Sequence, residues 1–399
     1  MAALEYWLWL SAAAVSARAK AALVSRYGDA QRAFFAPEGE YRDIPDVTKA
    51  EAELLEKRDL SGVSEVLAAC EQQGLRIISL QDAAYPNRLR NIYAPPVVLY
   101  VKGKLPLVDK NALIAVIGTR RASPYGLRMG REIAGEISRC GGIVVSGLTS
   151  GIDAAAAEGA LQAGGCCVGV LGTPHECERG ELAKSVAARG ALISEYPPGM
   201  EPQRSFFRER NRVAAGLSVG VVVVEAPEKS GTRLFAEEAA EQGKEIFAVP
   251  GNADAANSAG TLAMLKEGAK LVTHGWEVLS EFEALYPDKL RYVEQALSKQ
   301  ELPEKPEEKQ PPTPAPTKKD IDKPEGKGYI DLTTQLAALT EDQLKIITAI
   351  DRDASHIDDI IEATGLPASK VLAQLTILEI KGYVRREAGR RIALNTAKK

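Results

Sequence analysis

Residue types that build metal, disulfide or membrane sites are scarce in this 399-residue sequence. It has five cysteines, none in a C-x-x-C pair, and only three histidines, so we expect no structural metal site. No apolar run approaches the ~18 residues that span a bilayer. The apolar start follows Glu5 rather than a basic stretch, which is not typical of a secretory signal. The sequence therefore predicts a cytoplasmic protein with no metal, no cofactor and no membrane contact.

An excess of basic residues is also lacking. Fifty Lys and Arg stand against 54 Asp and Glu, which gives a net charge of −4. This balance excludes a protein that coats nucleic acid through bulk charge, but it leaves room for a local basic site. The length and the 45% of hydrophobic residues are sufficient for two to three domains with ordinary cores.

Composition and hydrophobic periodicity divide the chain into four segments. Residues 1–75 are predicted to form an N-terminal helical domain, and residues 76–285 an extended α/β core. Residues 297–330 are rich in Pro, Lys and Glu and poor in large apolar residues, which predicts a linker. In residues 331–399, three helical stretches precede two strands, a pattern that predicts a winged helix.

Short apolar runs alternate with helical stretches between residues 111 and 285. The runs predicted as strands are Ala112–Ile117, Ile143–Val145, Cys166–Leu171, Ala191–Ser194, Val219–Val224, Glu245–Val249 and Lys270–Thr273. Uninterrupted apolar strands separated by helices are typical of a parallel sheet covered on both faces. The predicted fold class is α/β, a Rossmann-like doubly wound mostly parallel sheet with an N-terminal helical domain and a C-terminal winged helix.

The loops after the strands are the candidate ligand site, because they meet at one edge of a parallel sheet. The candidate residues follow three of the strands: Gly118, Arg120 and Ser123; Ser146 and Gly147; and Ser230 and Gly231. Ser123 precedes Pro124, which is typical of a helix N-cap followed by proline at the first helical position. The planar guanidinium of Arg120 can pair with phosphate. The alternative is that small residues here only permit close packing of strand and helix.

A second basic feature lies just before the strand Val219–Val224. The run Arg208–Arg212 contains three arginines, with Asn211 between Arg210 and Arg212. This combination suits contacts with phosphates and base edges. A solvated surface with salt bridges to Glu209 is the alternative.

No convincing catalytic constellation is found. The cluster His175–Cys177 has no second group of ligands at a useful spacing, and no Ser–His–Asp or Cys–His–Asn set can be placed. Asp153 and Glu225 could act as acids or bases, but helix capping and hydrogen bonding at a strand end are the favoured roles. We therefore predict no catalytic residue and no enzyme activity.

The end of the chain carries the clearest asymmetry of charge. From Lys381 onward, seven basic residues face one acidic residue, Glu387. The candidate contacts with nucleic acid or with a partner are Lys370, Arg385, Arg386, Arg390 and Arg391. The wing of a winged helix commonly lies along phosphates, which favours DNA. The third helix has no arginine and the second is acidic, so contact with a protein has equal weight.

Taken in order, these motifs resemble those of the DNA-processing protein A (DprA/Smf) family. The matching segments are Tyr85-Pro86 with Leu89, Pro95-Pro96, Ile117–Arg120 with Ser123–Gly126, Ser146-Gly147 with Gly151–Asp153, Gly159–Leu161, Ser194–Gly199, Arg210–Arg212 with Gly216–Ser218, Ser230-Gly231 and Phe247–Gly251. The match runs from about residue 75 to 285, and the helical start and the winged-helix end agree with the family's layout.

The resemblance implies a function that spacing alone does not. Members of the family form homodimers, bind single-stranded DNA, and deliver incoming strands to the RecA recombinase in natural transformation, without catalysis. Carried over residue by residue, the expected strand contacts are Arg120, Ser146, Gly147, Arg210, Asn211 and Arg212. A groove of arginines and backbone N–H groups can follow phosphates without reading a sequence.

Departures from the family's usual pattern occur at Ser150, Ala157, Phe235 and Leu262, and we expect several of them at the ligand edge. They leave open a Rossmann-like sensor of small nucleotides or a nucleotide N-glycoside hydrolase. A scaffold that keeps only partner contacts is a third alternative. Arg120 together with the Arg210–Arg212 run favours a polymeric strand, because one mononucleotide requires less positive charge.

Overall fold

The computed structural model describes residues 2–293, 340–350, 355–380, 383–387 and 391–394. The chain divides into two compact units, residues 1–300 and 301–399. The predicted linker over residues 297–330 lies outside the described residues. The predicted limits of the four segments stay predictions.

Helices open the first unit, in line with the helical start expected from the sequence. They are α1 (Ala2–Ala12), α2 (Ala17–Tyr27), α3 (Ala30–Phe34), α4 (Lys49–Leu55) and α5 (Val63–Gln73). Polar caps set their limits: the Ser16 hydroxyl accepts from the backbone of α2, and Thr48 forms a capping box with Glu51 at α4. Their apolar faces enclose a core that includes Trp7, and Tyr100 of the sheet packs into the same core.

The sheet that follows has nine strands among the described residues. They are β1 (Arg76–Ser79), β2 (Val98–Gly103), β3 (Leu113–Ile117), β4 (Ile143–Ser146), β5 (Cys167–Val170), β6 (Ala191–Ser194), β7 (Gly220–Val223), β8 (Glu245–Ala248) and β9 (Lys270–Leu271). Their order is β1-β2-β6-β5-β4-β3-β7-β8-β9. In this spatial order, all neighbouring strands between β6 and β9 are parallel, which includes β3, β4 and β5. At one side of the sheet, β2 pairs antiparallel with both β6 and β1. The predicted parallel sheet is confirmed, and β1 was not predicted.

Helices cover both faces of this sheet. They are α6 (Asn87–Arg90), α7 (Pro124–Arg139), α8 (Ile152–Gln162), α9 (Glu181–Arg189), α10 (Phe206–Leu217), α11 (Gly231–Glu241), α12 (Ala259–Lys266) and α13 (Gly275–Leu279). Side chains of α10, α11 and α12 share one core with Leu113 and Ala115, and those of α7, α8, α9 and α13 share the other with Ile114 and Val116. Alternate residues of β3 thus point to opposite cores, which explains its uninterrupted apolar sequence.

The second unit is a winged helix, as predicted. It contains α14 (Glu341–Thr348), β10 (Ser355–His356), α15 (Ile357–Thr364), α16 (Ala368–Ile380), β11 (Val384–Glu387) and β12 (Arg391–Leu394). The strands form an antiparallel sheet in the order β10-β12-β11. Its core is built around Ile346, Ile360 and Leu375. Across the described part of both units, no helix is long and apolar enough to cross a membrane.

Tyr100 links the N-terminal helices to β2, and its removal tests that link. The side chain is fully buried, and its hydroxyl lies 3.2 Å from the hydroxyl of Ser11 in α1. We expect Tyr100→Ala to lower the free energy of unfolding by about 3–5 kcal/mol, because a large buried ring is replaced by a cavity. Urea unfolding followed by circular dichroism measures the change.

The matched control is Tyr93→Ala, because the Tyr93 ring is 61% exposed. It should change the free energy of unfolding by less than about 0.5 kcal/mol. Equal losses in the two variants would contradict the core placement of Tyr100.

Candidate nucleic-acid interface

A cleft of about 530 Å³ opens where β3 and β7 end at the carboxyl edge of the sheet. Its walls come from the loop after β3, from the first turns of α8 and α11, and from the start of α10. This is the edge at which ligands bind in open parallel sheets, because helix N-termini present free N–H groups there. The predicted residues Gly118, Arg120, Ser230 and Gly231 all line the cleft.

Backbone contacts hold the loop after β3 between its two neighbours. The Thr119 N–H donates to the Glu225 carbonyl at 2.8 Å, and the Thr119 carbonyl accepts from the Ile152 N–H at 3.3 Å. Gly151 stands in the left-handed region, with φ of +82°, and a Cβ there would come within 2.7 Å of the Arg120 carbonyl oxygen. Glycine at this position therefore lets the start of α8 pack directly on the arginine-bearing loop.

Ser123 fixes this loop from the other side instead of lining the cleft. Its hydroxyl accepts from the Gly126 N–H at 3.0 Å and caps α7, with Pro124 at the start of the helix. Its own N–H and hydroxyl donate to the carboxylate of Glu225. The predicted N-cap and the strand-end role of Glu225 match these contacts. Ser123 borders a separate pocket with Pro250.

Four arginines stand exposed around the cleft: Arg120, Arg121, Arg204 and Arg208. Within the described residues, none of them forms an ion pair with a carboxylate. Their charges are therefore available to a ligand, although the chain as a whole is acidic. The sequence prediction had placed only Arg120 of these four among the site residues.

Arg210 forms the floor of the cleft and is only 5% exposed. Its Nη1 donates to the Val170 carbonyl at 2.7 Å, and the Nε of this buried group has no partner within the described residues. Burial lowers the pKa of the guanidinium, and the charge of Asp153 opposes that shift. Gly147 lies against the guanidinium, where a Cβ would collide with it. Next to Arg210 in sequence, Asn211 also lines the cleft.

Ser146 lies outside the cleft lining and is a structural partner of Asp153, which does line the cleft. The Ser146 hydroxyl is buried, donates to the Asp153 carbonyl at 2.8 Å and accepts from the Leu148 N–H at 3.0 Å. Burial raises the pKa of the Asp153 carboxyl, while Arg210 and the Thr149 hydroxyl oppose the shift. Ser146 therefore stabilises the turn before α8 and does not face a ligand, contrary to the contact expected from the family.

Arg212 also departs from its expected place. Its guanidinium forms an ion pair with Glu195 and donates to the Ala94 carbonyl at 2.6 Å. A step of two residues rotates a side chain by roughly 200° around a helix. Arg212 consequently points away from the cleft that Arg210 reaches, and we remove it from the set of proposed contacts.

Phe207 is a cleft residue that the sequence prediction missed. Its ring is 37% exposed, and the Arg120 guanidinium lies over it at 5.4 Å from the centroid. Phe207 and Asn211 are four residues apart on α10 and share one face of the helix. An aromatic residue one helical turn before the Arg-Asn pair was the available signal.

The four departures from the family pattern lie in different surroundings. Phe235 lines the cleft and is buried, whereas Ala157 is fully enclosed in the core of α8. Ser150 is exposed beside the cleft without lining it, and Leu262 is half-buried on α12. Ala157 therefore does not lie at the ligand edge, where we expected several of these departures.

Metal ligands are not clustered in the described part of the chain, where no group of three or more His, Cys, Asp or Glu could hold an ion. His175 is buried, and its Nε2 lies 2.8 Å from the Tyr100 carbonyl oxygen. This contact places His175 in the packing between β2 and the loop after β5.

The winged helix uses one of its candidate contacts internally, since the Lys370 ammonium pairs with Asp342 at 2.7 Å. Arg385 and Arg391 lie on the exposed surface of β11 and β12. Arg390 and the side chain of Arg386 lie outside the described residues.

Fold and cleft together define the class: a Rossmann-like α/β protein with an arginine-rich cleft at the carboxyl edge of its sheet and a winged helix in a second unit. Comparison with models of protein families identifies the family within this class. The model of DNA recombination-mediator protein A matches residues 76–283, and that of the DprA winged helix domain matches residues 331–390. The chain belongs to the DNA recombination-mediator protein A (DprA/Smf) family.

Individual relatives agree with this assignment. DNA processing protein DprA of Bacillus subtilis is 39% identical over 233 residues, which cover 57% of this chain and 77% of that protein. Protein Smf of Escherichia coli is 31% identical over 84% of this chain and 82% of its own. The X-ray structure of DprA from Streptococcus pneumoniae superposes with a TM-score of 0.60 at 29% identity, covering 72% of this chain and 99% of that one.

Gly147 provides a test of how Arg210 is held. We expect Gly147→Ala to lower the free energy of unfolding by about 1–3 kcal/mol, because the new methyl group must displace a packed guanidinium. Urea unfolding measures the loss. Gly231→Ala is the control, since a Cβ at Gly231 meets no atom within 4 Å. A loss of the same size in both variants would show that the Arg210 contact is not the cause.

Proposed function

We propose that this protein binds single-stranded DNA in the arginine-lined cleft and acts as a recombination mediator. It would protect incoming strands during natural transformation, pass them to the RecA recombinase, and work as a homodimer without catalysing a reaction. Membership of the recombination-mediator family supports the general role. The strand, RecA and the homodimer are our more specific proposals.

One observation carries the choice of ligand: four exposed arginines surround an exposed aromatic ring in a single cleft, and none of them pairs with a carboxylate in the described part of the chain. Guanidinium groups attract the phosphates of a strand in any sequence. The face of Phe207 offers a surface on which an unstacked base can lie. Stacked bases inside a duplex do not expose their faces, so this combination favours a single strand.

The nucleotide-sensing and hydrolytic alternatives fit the cleft less well. Four arginines that have no carboxylate partner among the described residues exceed what a mononucleotide requires. They are spread over the loop after β3, the approach to α10 and its first turn. Asp153, a carboxylate that lines the cleft, is only 6% exposed and already accepts from the Thr149 hydroxyl at 3.0 Å. An acid or base for hydrolysis would need to reach the substrate.

Arg120 and Arg208 provide the electrostatic test. We expect Arg120→Ala or Arg208→Ala to weaken binding of a labelled oligo-dT strand and to flatten its salt dependence. Each lost phosphate contact should change the slope of log K against log salt by about 0.7. Fluorescence anisotropy at several salt concentrations, with duplex and free nucleotides as competitors, measures both quantities.

Arg32→Ala serves as the control, because Arg32 is an exposed arginine of α3, outside the cleft. It should leave both the affinity and the slope unchanged. Unchanged slopes in Arg120→Ala and Arg208→Ala would place the strand elsewhere. Stronger competition by free nucleotides than by the strand would favour the nucleotide sensor.

Phe207 provides a test that is independent of charge. We expect Phe207→Ala to weaken strand binding by about 1–3 kcal/mol through loss of stacking. The salt slope should stay as in the parent protein, because no phosphate contact is removed. Phe35→Ala removes a ring that is 62% exposed outside the cleft and should have no effect on binding. Wild-type affinity in Phe207→Ala would rule out a stacking role for this ring.

A further inference from the structure

A second pocket lies at the opposite, amino edge of the sheet. Arg88 lines this pocket and shows its location. Its guanidinium donates to the Leu217 carbonyl at 2.9 Å and to the Asn111 carbonyl at 3.3 Å, and these two residues precede β7 and β3. Lys244, directly before β8, lines the same pocket. The strand β3 separates this edge from the cleft, so the two sites are roughly 16 Å apart or more.

The Lys244 ammonium is the unusual group here. It is half-buried and forms no hydrogen bond or ion pair within the described residues. Burial, together with the nearby positive charge of Arg88, lowers its pKa to about 8. A partly desolvated ammonium beside a guanidinium is an unfavourable arrangement, which a bound anion would relieve.

The rest of the pocket offers complementary chemistry. Arg18 of α2 lies over the Tyr93 ring at 5.2 Å from the centroid, and this ring is 61% exposed. An exposed ring and a guanidinium plane are both surfaces on which a nucleobase stacks. The exposed Asn91 also lines the pocket and carries both a donor and an acceptor for a base edge.

Acidic and titratable neighbours limit the ligand. Glu238 and Glu241 of α11 line the same pocket, and Glu238 accepts from the Gln242 amide at 3.0 Å. Burial lowers the pKa of Arg88 and the charge of Asp109 opposes that shift, while the guanidinium donates to the Tyr286 hydroxyl at 2.6 Å. Three cations against two lining carboxylates favour a ligand that places one compact negative group and one base in the pocket.

We propose that the pocket formed by Arg18, Arg88, Asn91, Tyr93 and Lys244 is a second binding site, specific for a nucleoside phosphate. Its phosphate lies at Lys244 and its base lies against Tyr93. The nucleoside phosphate is either a free mononucleotide or one nucleotide of a DNA strand. The site is separate from the cleft and does not depend on the function proposed for it.

Calorimetric titration of the full-length protein at pH 8.5 tests this site, with dTMP in one arm and an oligo-dT strand in the other. An anion at Lys244 stabilises the ammonium, so its pKa rises on binding and protons are taken up between the free and bound values. Titration in two buffers of different ionisation enthalpy measures that uptake. Affinity should accordingly fall as the pH rises through about 8.

Lys244→Gln should lower the affinity for the ligand that occupies this pocket, dTMP or the strand, by about tenfold or more, and it should abolish the proton uptake. Tyr93→Ala, whose exposed ring is not needed for folding, should lower this affinity too. Lys266→Gln removes an exposed charge of the same type from α12 and should change neither quantity. If Lys244→Gln weakens the binding of dTMP, the ligand of this site is a free nucleotide. If it weakens only the binding of the oligo-dT strand, the ligand is a nucleotide of a strand.

Binding and proton uptake that are unchanged by Lys244→Gln in both arms would overturn the proposal. Arg120→Ala separates this result from a failure of the cleft, because it alters the carboxyl edge alone. If Arg120→Ala weakens binding of the strand while Lys244→Gln changes the binding of neither ligand, the cleft is supported as a binding site and the second site is contradicted.

Discussion

Two buried guanidinium groups fix the rotation of α10 about its axis, and the cleft depends on that rotation. Arg210 donates to the Val170 carbonyl on one side of the helix, and Arg212 donates to the Ala94 carbonyl on the other. A buried charge without such partners would cost several kcal/mol, roughly, so a helix rotated away from both carbonyls is strongly disfavoured. With α10 held in this way, Phe207 and Asn211 have to face the cleft.

The cleft therefore contains arginines of two kinds. Arg210 is surrounded by protein and holds the floor, whereas Arg120 and Arg208 are exposed and have no carboxylate partner within the described residues. Solvent and salt screen exposed charges much more than buried ones. Salt can accordingly weaken ligand attraction at the rim while the floor keeps its shape. This separation lets an acidic chain present a local basic site without depending on that site for its stability.

The sequence was sufficient to predict the parallel part of the sheet, because each apolar run of β3 to β8 is short, uninterrupted and followed by a helix. Placing the loops at one edge then needed only the rule for parallel strands, and Gly118, Arg120, Ser230 and Gly231 do meet there. The misplacement of Arg212 has its own cause: the run Arg208–Arg212 contains no apolar periodicity that would show which side of its helix is buried. Arg210 and Arg212 look equivalent in sequence, yet they lie on opposite sides of α10. The same lack of an apolar pattern explains why Phe207 was missed. Its place one helical turn before the Arg-Asn pair is visible in the sequence, but that spacing does not show whether the ring is exposed or part of the core.

The two edges of the sheet differ physically in a way that helps to explain why cations are found at both. At the carboxyl edge, the first turns of α8 and α11 present backbone N–H groups, and the arginines add to a potential that is already positive. At the amino edge, the end of α11 and the carbonyls before β3 and β7 present oxygen atoms. The Arg88 guanidinium donates to two of these carbonyls, those of Leu217 and Asn111, and also to the Tyr286 hydroxyl. A cation at that edge has a structural reason to be there. The Lys244 ammonium forms no hydrogen bond or ion pair with the described residues, so direct contacts of the kind that hold Arg88 do not account for this half-buried group beside it.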